Sequence, residues 1–350
     1  MIQEFNGDQR REKVNSDQRF AAWRTQRSRM QNFRGSLVWQ TVKGETYLAR
    51  SYYDQSGLRR QKSEGKRTPE TESIKADWEY ARAGAREGFK SIDDVMTRQA
   101  SINRVIGLGR VPTLSAKIVR VLDEAQLLGR GLRVVGTNAI YAYESAAGVF
   151  VDSEVTATLD IDILLDARRS LRFVVEDGAS ERSLVSLLRK ADRSFEISQQ
   201  DFRAVNKEGF LVDLIKPQPN PPWSQDTMQA SATYGDLVAA PIEGLDWLEN
   251  APSFDSIAID EQGWPVRIST IDPRVFAAHK LWLSKRADRE PTKRQRDRSQ
   301  AQVVGQLTAR YLPHLPYEPD QLRMLPLEVF EDARALFEVD QTDSGQKSPQ

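Results

Sequence analysis

Apolar and polar positions along the first third of the chain predict a β-hairpin flanked by helices. The segment 35–54 alternates around a turn at Lys43-Gly44-Glu45, a pattern typical of a hairpin. Residues 1–33 are polar with scattered aromatic side chains and predict a helix. Pro69 fits the first turn of a long helix that runs to about Arg104, and helical spacing over 111–128 predicts another. The basic segment between the hairpin and Pro69 is interpreted as a loop.

The pattern changes to alternating strands and helices beyond residue 131. The predicted elements are a strand at 132–136, a helix at 138–148, a strand at 158–165, a helix near 181–189, strands that end around Pro217, a second hairpin within 254–270 and a helix from Pro273. The first three elements form a β-α-β core.

These elements predict an α+β fold, with a mixed sheet and helices in the core, a β-hairpin and helices before it, and a helical C-terminal part. We expect a helical extension (1–33), a β-hairpin element (34–66), a helical region (67–129), the core (130–250), a hairpin plus C-terminal helical region (251–340) and a disordered tail (341–350).

The composition excludes several kinds of chemistry. The 350 residues contain no cysteine, which excludes disulfides, zinc–thiolate sites and cysteine nucleophiles and suits a reducing cytoplasm, the location we expect. The only histidines are His279 and His314, so a histidine-rich metal site is impossible, and both residues are better explained by structural roles. No apolar run approaches about 18 residues, so no membrane span is expected.

Charge is balanced globally but distributed unevenly. Fifty basic and fifty acidic residues give no net charge, so the total does not indicate a nucleic-acid partner. Residues 10–29 and 285–298 are basic, whereas 318–343 is mostly acidic. The hairpin also combines aromatic and cationic side chains that could hold RNA by stacking and phosphate contacts: Trp39, Tyr47, Tyr52, Tyr53, Arg59, Arg60, Lys62 and Lys66. In the alternative interpretation, the aromatic residues pack a small sheet and the charges form a solvated loop.

Two aspartates interrupt the apolar strand at 158–165. Because side chains alternate along a strand, Asp160 and Asp162 share one face while isoleucines occupy the other. Two like charges there would repel each other, and divalent cations such as Mg²⁺, which prefer oxygen ligands, remove the conflict. Asp213, in the middle of a later apolar strand, could complete a two-metal site. The alternative is that the aspartates lie at strand ends and face solvent.

A glycine turn lies between the first strand of the core and its helix. Gly136 and Thr137 end the strand, so their amides, the helix N-terminus and the threonine hydroxyl could bind an anion such as phosphate. The simpler alternative is that Thr137 or Asn138 only caps the helix.

These motifs resemble those of the DNA polymerase β-type nucleotidyltransferase superfamily, which places Gly-Thr or Gly-Ser at a strand–helix junction, an Asp-x-Asp pair on the next strand and a lone Asp on a later one. That similarity covers about residues 131–216. More narrowly, the sequences VVGTNAIYAYESAAG, DIDILL, VDLIKP, DPRVFAAHKLWLSKR and KRQRDRSQA resemble an uncharacterised bacterial nucleotidyltransferase-fold family. That family is distantly related to abortive-infection and toxin–antitoxin nucleotidyltransferases.

The resemblance implies a polymerase β-like core at 130–250 and a set of site residues. The implied metal ligands and catalytic residues are Asp160, Asp162 and Asp213, and the implied nucleotide-binding residues are Gly136, Thr137, Asn138 and Lys280, with Asp297 a weaker match to a later acidic position. The implied reaction uses Mg²⁺ or Mn²⁺ to move a nucleoside monophosphate from an NTP to a hydroxyl. The acceptor would be RNA, such as tRNA, or a protein, in a toxin or phage-defence setting.

Several alternatives stay open at this stage. Lys280 lies near the apolar stripe of its helix, so its ammonium should point along the core toward a cleft, although it could face water instead. Threonine replaces the usual serine, and an extra segment, VFVDSEVTA, lengthens the interval between Gly136 and Asp160. The rival function is a non-catalytic scaffold with the same fold that binds nucleotide or RNA.

Overall fold

The computed structural model describes residues 2–53, 59–166, 183–219 and 236–338. Within them the chain has a mixed α+β fold whose central sheet contains both parallel and antiparallel neighbours, which confirms the predicted class. The narrower prediction of a polymerase β-like core stays a prediction, as do the domain boundaries. The tail expected at 341–350 lies outside the described residues.

Two long helices and a three-stranded sheet form an N-terminal arm. Its elements are β1 (Ile2–Glu4), α1 (Gly7–Gln31), β2 (Ser36–Val42), β3 (Glu45–Tyr53), β4 (Arg59–Lys66) and α2 (Pro69–Val105). Each helix starts with a capping box, at Asn6 and Thr68, which satisfies amides that the first helical turn leaves unpaired. α1 packs antiparallel to α2, and Trp23 Nε1 donates to Asp93 at 2.9 Å.

The basic segment interpreted as a loop is an edge strand, so that interpretation was wrong. β4 pairs antiparallel with β3 from Arg59, opposite Tyr53, to Lys66, opposite Tyr47. The hydrogen bonds between the two strands satisfy backbone N–H and C=O groups of this segment. They outweigh the low strand propensity of its lysine, glutamate and glycine residues. A charged edge strand also resists pairing with other chains.

Helices and strands alternate through the centre of the chain. They are α3 (Thr113–Glu124), β5 (Leu132–Val135), α4 (Ile140–Ala147), β6 (Val149–Val151), α5 (Ser153–Thr156), β7 (Asp160–Leu165), α6 (Leu184–Ala191), β8 (Glu196–Ile197), β9 (Arg203–Val205), β10 (Leu211–Pro217), β11 (Ala240–Ile242) and α7 (Leu245–Asn250). The central sheet has the order β5-β7-β10-β9-β8, and β11 pairs with the end of β10. β7 is antiparallel to β5 and parallel to β10.

In its described residues, the C-terminal part adds a hairpin and three α-helices. They are β12 (Ser253–Ile259), β13 (Pro265–Ile271), α8 (Pro273–Lys285), α9 (Pro291–Tyr311) and α10 (Leu327–Ala333). The sheet is buried on both faces. One face carries Ile161 and Val212 against α3 and α6, and the other carries Leu164 and Ile215 against α4, α8 and α9.

The extra segment after α4 joins the start of the chain to the core. Its residues Val149–Val151 form β6, which pairs antiparallel with β1, and Ser153–Thr156 form α5. Because the pairing connects distant parts of the sequence, the hydrophobic pattern gave no indication of it. No helix in the described part of the chain is both long and apolar enough to cross a membrane.

Candidate active site

Three aspartates lie together at one end of the central sheet. Parallel pairing of β7 with β10 puts Asp162 directly beside Asp213, and Asp160 lies two residues before Asp162 on the same face. That face is the one against which α8 and α9 pack. Asp213 is buried and lies within its strand, whereas Asp160 and Asp162 are partly buried. Asp213 therefore does not fit the alternative of aspartates that face solvent at strand ends.

Gly136 allows the carboxylate of Asp162 to lie against the end of β5. Its φ of +64° is in the left-handed region, where glycine is favoured. A Cβ atom at this position would lie 2.1 Å from Oδ2 of Asp162, far inside van der Waals contact. The glycine is thus required twice, for its backbone conformation and for the close approach of the aspartate.

The electrostatics of this site oppose ionisation of Asp162. Burial and the charge of Asp160 raise the pKa of Asp162 to about 7, although the positive charge of Lys280 acts in the opposite direction. The hydroxyl of Thr158 donates a hydrogen bond to Asp160. Among the described residues, neither Asp160 nor Asp162 forms a direct ion pair with a cation. The repulsion within the pair is therefore only partly compensated.

Asp213 has a direct partner that the sequence did not predict. Arg203 lies opposite it on the antiparallel strand β9, and its Nε and Nη2 atoms each donate to one carboxylate oxygen at 2.6 Å. This bidentate geometry is the strongest arrangement that a guanidinium and a carboxylate can form. Arg203 therefore neutralises the carboxylate that the resemblance assigns to metal binding.

The side chains of the glycine turn make tertiary contacts instead of capping a helix. Gly136–Ala139 form a 3₁₀ turn without a side-chain cap, so the simple capping alternative is wrong. Gln300 of α9 donates to Thr137 Oγ1 at 3.0 Å, and Asn138 Nδ2 donates to the backbone carbonyl of Asp160 at 2.7 Å. Oδ1 of Asn138 is buried and has no hydrogen-bond donor. Asn138 thus fixes the start of β7 and keeps one unsatisfied acceptor.

Lys280 is buried in an ion-pair network and does not face water. Its Nζ atom donates to Asp297 Oδ1 at 2.8 Å, and Arg289 Nε donates to the other oxygen of Asp297 at 2.8 Å. Burial alone would raise the pKa of the fully buried Asp297, but these two cations lower it. One carboxylate is shared by two cations, so the network has a net positive charge beside Asp162.

His279 belongs to a neighbouring aromatic cluster. It stacks on Trp282 and meets Trp247 edge to face. Burial lowers the pKa of His279 to about 3, so the imidazole is neutral at physiological pH. This setting is consistent with a structural role for His279.

The region that contains these residues matches a known family. Residues 113–325, more than half of the chain, match the family model described as Nucleotidyltransferase. The chain belongs to this nucleotidyltransferase family. The match confirms the prediction of a nucleotidyltransferase and the class of a transferase enzyme, and the N-terminal arm lies outside the matched range. Neither a curated protein nor a solved structure matches the chain.

Three polar residues of this nucleotidyltransferase site were missed by sequence reasoning. Arg203 carried no signal, because its strand is short and its register with Asp213 follows only from the fold. Arg289 lay within a basic segment where several cations were equivalent. Gln300 is three residues after Asp297 on α9. Residues with this spacing share a helix face, so the position of Asp297 could have indicated that Gln300 also faces the site.

A divalent cation fits the carboxylates only in part. Within the described residues, no group of three or more His, Cys, Asp or Glu side chains is arranged to hold a metal ion, and both carboxylate oxygens of Asp213 accept from Arg203. Asp160 and Asp162 nevertheless provide oxygen ligands of the type that Mg²⁺ prefers, and burial together with the charge of Asp160 raises the pKa of Asp162. The unsatisfied Oδ1 of Asn138 lies next to them in the fold.

We predict that Gly136→Ala disrupts the site more than a glycine substitution without a nearby carboxylate. Gly44 is a matched control, because its φ is +82° and a Cβ there would have nothing within 4 Å. The left-handed conformation alone should cost both variants about 1–2 kcal/mol, and the contact with Asp162 should add to the loss in Gly136→Ala. Urea unfolding of both variants measures the difference, and equal losses would show that the approach of Asp162 does not depend on the glycine.

We also predict that Asp162→Asn stabilises the metal-free protein at neutral to basic pH. The folded-state pKa of about 7 lies above the ordinary value of 3.8, so the folded protein keeps a proton that the unfolded chain releases. Stability should therefore fall as the pH rises from about 4 to about 7 and then level off. At pH 8 the variant should gain on the order of 2 kcal/mol, allowing for solvent screening.

Urea unfolding with a chelator from pH 4 to pH 8 checks this expectation. The exposed Asp201→Asn is the control and should follow the wild type throughout. A stability gain for Asp162→Asn that is the same at every pH would contradict the electrostatic explanation.

Proposed function

We propose that this nucleotidyltransferase uses a divalent cation to move a nucleoside monophosphate from an NTP to a hydroxyl of an RNA or protein acceptor, with release of pyrophosphate. The observation that carries the proposal is the cross-strand neighbourhood of Asp162 and Asp213, with Asp160 and the Gly136 turn beside it. The family match supports nucleotidyl transfer in general. Only the resemblance supports membership of the polymerase β-type superfamily, a bacterial origin and a toxin or phage-defence setting, whereas the cytoplasmic location is proposed from the absence of cysteine.

The carboxylates are assigned to metal binding. Asp160 and Asp162 would hold Mg²⁺ or Mn²⁺, and Asp213 would join them after its carboxylate leaves Arg203. A divalent cation bound there supplies positive charge that polarises the phosphate and lowers the pKa of an attacking hydroxyl. Arg203, once released, stays beside the site as a cation able to contact a phosphate or the acceptor.

The glycine turn and the cationic network are assigned to the triphosphate. Backbone amides at Gly136 and Thr137 can donate to phosphate oxygens, and the Thr137 hydroxyl can donate while it accepts from Gln300. Lys280 and Arg289 share only one carboxylate, so their excess positive charge favours an anion near Asp162. Asn138 acts as a positioning residue through its bond to the Asp160 backbone.

The transfer conserves atoms and charge. The acceptor oxygen forms a bond to the α-phosphorus of the NTP while the bond from that phosphorus to the α,β-bridging oxygen breaks. Pyrophosphate leaves with the bonding electrons, and the hydroxyl proton passes to a carboxylate, for which Asp213 is assigned. This is the usual chemistry of in-line nucleotidyl transfer supported by positioning and electrostatics.

A non-catalytic scaffold is the second candidate, favoured by one specific observation. The bidentate bond between Arg203 and Asp213 could be permanent, which would prevent Asp213 from binding metal. Calorimetric titration of the protein with an NTP analogue that resists α,β-cleavage, with and without Mg²⁺, distinguishes the two. NTP binding that is independent of Mg²⁺ would favour the scaffold.

We predict that labelling of an acceptor depends on the aspartate pair. The wild type, incubated with each α-³²P NTP, Mg²⁺ or Mn²⁺ and total cellular RNA and protein, should transfer label to one of these pools. Asp160→Ala/Asp162→Ala should abolish transfer, because the cation loses both assigned ligands. Glu196→Ala/Asp201→Ala, which removes two exposed carboxylates from the same sheet region, should leave it unchanged. Labelling by the wild type no greater than by the aspartate variant would refute the proposed reaction.

We predict that Lys280→Ala weakens NTP affinity roughly ten- to a hundredfold, since a charge-assisted contact is lost. The buried bond to Asp297 implies an effect on folding as well. Loss of one partner should lower the free energy of unfolding by about 3 kcal/mol. Lys285→Ala, on the same helix with an exposed ion pair to Asp332, is the control and should change neither quantity appreciably.

Titration with the NTP analogue and urea unfolding measure both effects. If Lys285→Ala or Arg286→Ala lost NTP affinity while Lys280→Ala kept it, the assigned cation would be wrong. Arg286 is expected to contribute less, because Glu243 and Asp288 already pair with it.

A further inference from the structure

We propose that one face of the sheet in the N-terminal arm is a docking surface for a single-stranded segment of RNA. This surface, called the basic face below, consists of Arg50 and Tyr52 on β3 and Arg60 and Lys62 on β4. The identification of that RNA as the acceptor rests on the proposed function. RNA binding by the basic face can be measured whether or not the protein transfers a nucleotide.

Strand register brings these four side chains onto one face. Arg50 is opposite Lys62, and Tyr52 is opposite Arg60. Directly opposed residues of antiparallel strands have their Cβ atoms about 5 Å apart, and like charges in such a pair destabilise it. Arg50 and Lys62 are both exposed, and within the described residues the ion pair of Lys62 is a loose, exposed one with Glu64, at 3.8 Å. A bound polyanion would turn this unfavourable pair into a favourable one.

The aromatic side chain in the basic face favours nucleic acid over an acidic protein. Tyr52 is 38% exposed although it lies within a strand. Bases of single-stranded RNA stack on exposed aromatic rings of a sheet while neighbouring cations contact the phosphates. An acidic protein surface would need the cations but not the ring.

The opposite face of the same sheet does not have this character. Arg59 is opposite Tyr53, and its Nε donates to the hydroxyl of the buried Ser51 at 2.8 Å. Lys66 lies at the other end of β4, 3.5 Å from Glu45. The four cations grouped by sequence reasoning therefore do not form one surface, and Arg50, which that reasoning did not include, belongs to the basic face.

The position of the arm suits a long substrate. α1 has 25 residues and is therefore roughly 37 Å long. Its start is fixed to the core by the pairing of β1 with β6, and its other end leads into the sheet. Residues 1–67 contain fifteen Lys and Arg but seven Asp and Glu, although the whole chain is neutral. An RNA held on the basic face would thus be bound far from β6, outside the region shared with the family.

Fluorescence anisotropy with a labelled, unstructured 20-nucleotide RNA tests the proposal on the full chain. The titrations run from 50 to 250 mM KCl with EDTA and without NTP. Arg50→Glu/Lys62→Glu should weaken binding at least about tenfold and reduce the slope of log K against log salt by about 1.4, since each lost phosphate contact removes about 0.7 for a single strand. Lys43→Glu/Arg59→Glu makes the same change of charge off the basic face and should stay within about twofold of the wild type.

Two further variants test the aromatic contribution. Tyr52→Ala should weaken binding about five- to a hundredfold, whereas Tyr52→Phe, which keeps the ring, should bind like the wild type. Circular dichroism melting verifies that each variant is folded. If the glutamate double variant does not fold, Arg50→Gln/Lys62→Gln replaces it, with an expected slope reduction of about 1.4.

Several outcomes would overturn the proposal. The first two are equal losses of RNA affinity in the two double variants and RNA affinity of Tyr52→Ala equal to that of the wild type. The others are displacement of the RNA by polyglutamate at equal charge concentration and tighter binding of single-stranded DNA of the same sequence. RNA binding through the basic face without any nucleotidyl transfer would reject the proposed function alone. Transfer to RNA with no binding through the basic face would reject this inference alone.

Discussion

Parallel pairing of β7 and β10 places two aspartates side by side in a partly buried setting, where their negative charges repel each other. A hydrophobic pair at the same positions would be more stable. The surrounding structure accommodates the pair in three ways: Gly136 makes room for one carboxylate, Arg203 neutralises another, and Lys280 on α8 and Arg289 in the connection between α8 and α9 act from across the face. The helices that follow the sheet therefore contribute charged groups to the site as well as apolar packing.

Asp297 connects these elements. It is fully buried, yet it is stable as an anion because Lys280 and Arg289 donate to its two oxygens. Gln300, one turn further along α9, reaches Thr137 beside the aspartates. A single helix face thus fixes both the cationic network and the glycine turn. Removing any one member leaves a buried partner unsatisfied, which makes the network cooperative.

Local pattern was sufficient for most of the helices and core strands and for singling out the three aspartates. The apolar strands around Asp160 and Asp213 stand out because aspartate is a poor strand former, and the turn at Gly136 interrupts an otherwise regular pattern. Arg203 could not be identified in this way, since its role depends on strand register. The pairing of β1 with β6 and the third strand of the arm also depend on partners that are distant in sequence or unfavourable by propensity. Lys280 was recognised, but its bond to Asp297 required knowledge of how α8 packs on α9.

The length of α2 determines how far a small tilt of this helix displaces the sheet of the arm. Near its C-terminal end, Asn103 donates to the carbonyl of Gly263 at 2.8 Å, in the turn between β12 and β13, while its N-terminal end adjoins the sheet of the arm. A helix of 37 residues is roughly 55 Å long, so a tilt of about 5° at the attached end moves the far end by about 5 Å. Any rotation of α2 about its contact with Gly263 would therefore move the sheet of the arm through a distance comparable to the spacing between neighbouring strands.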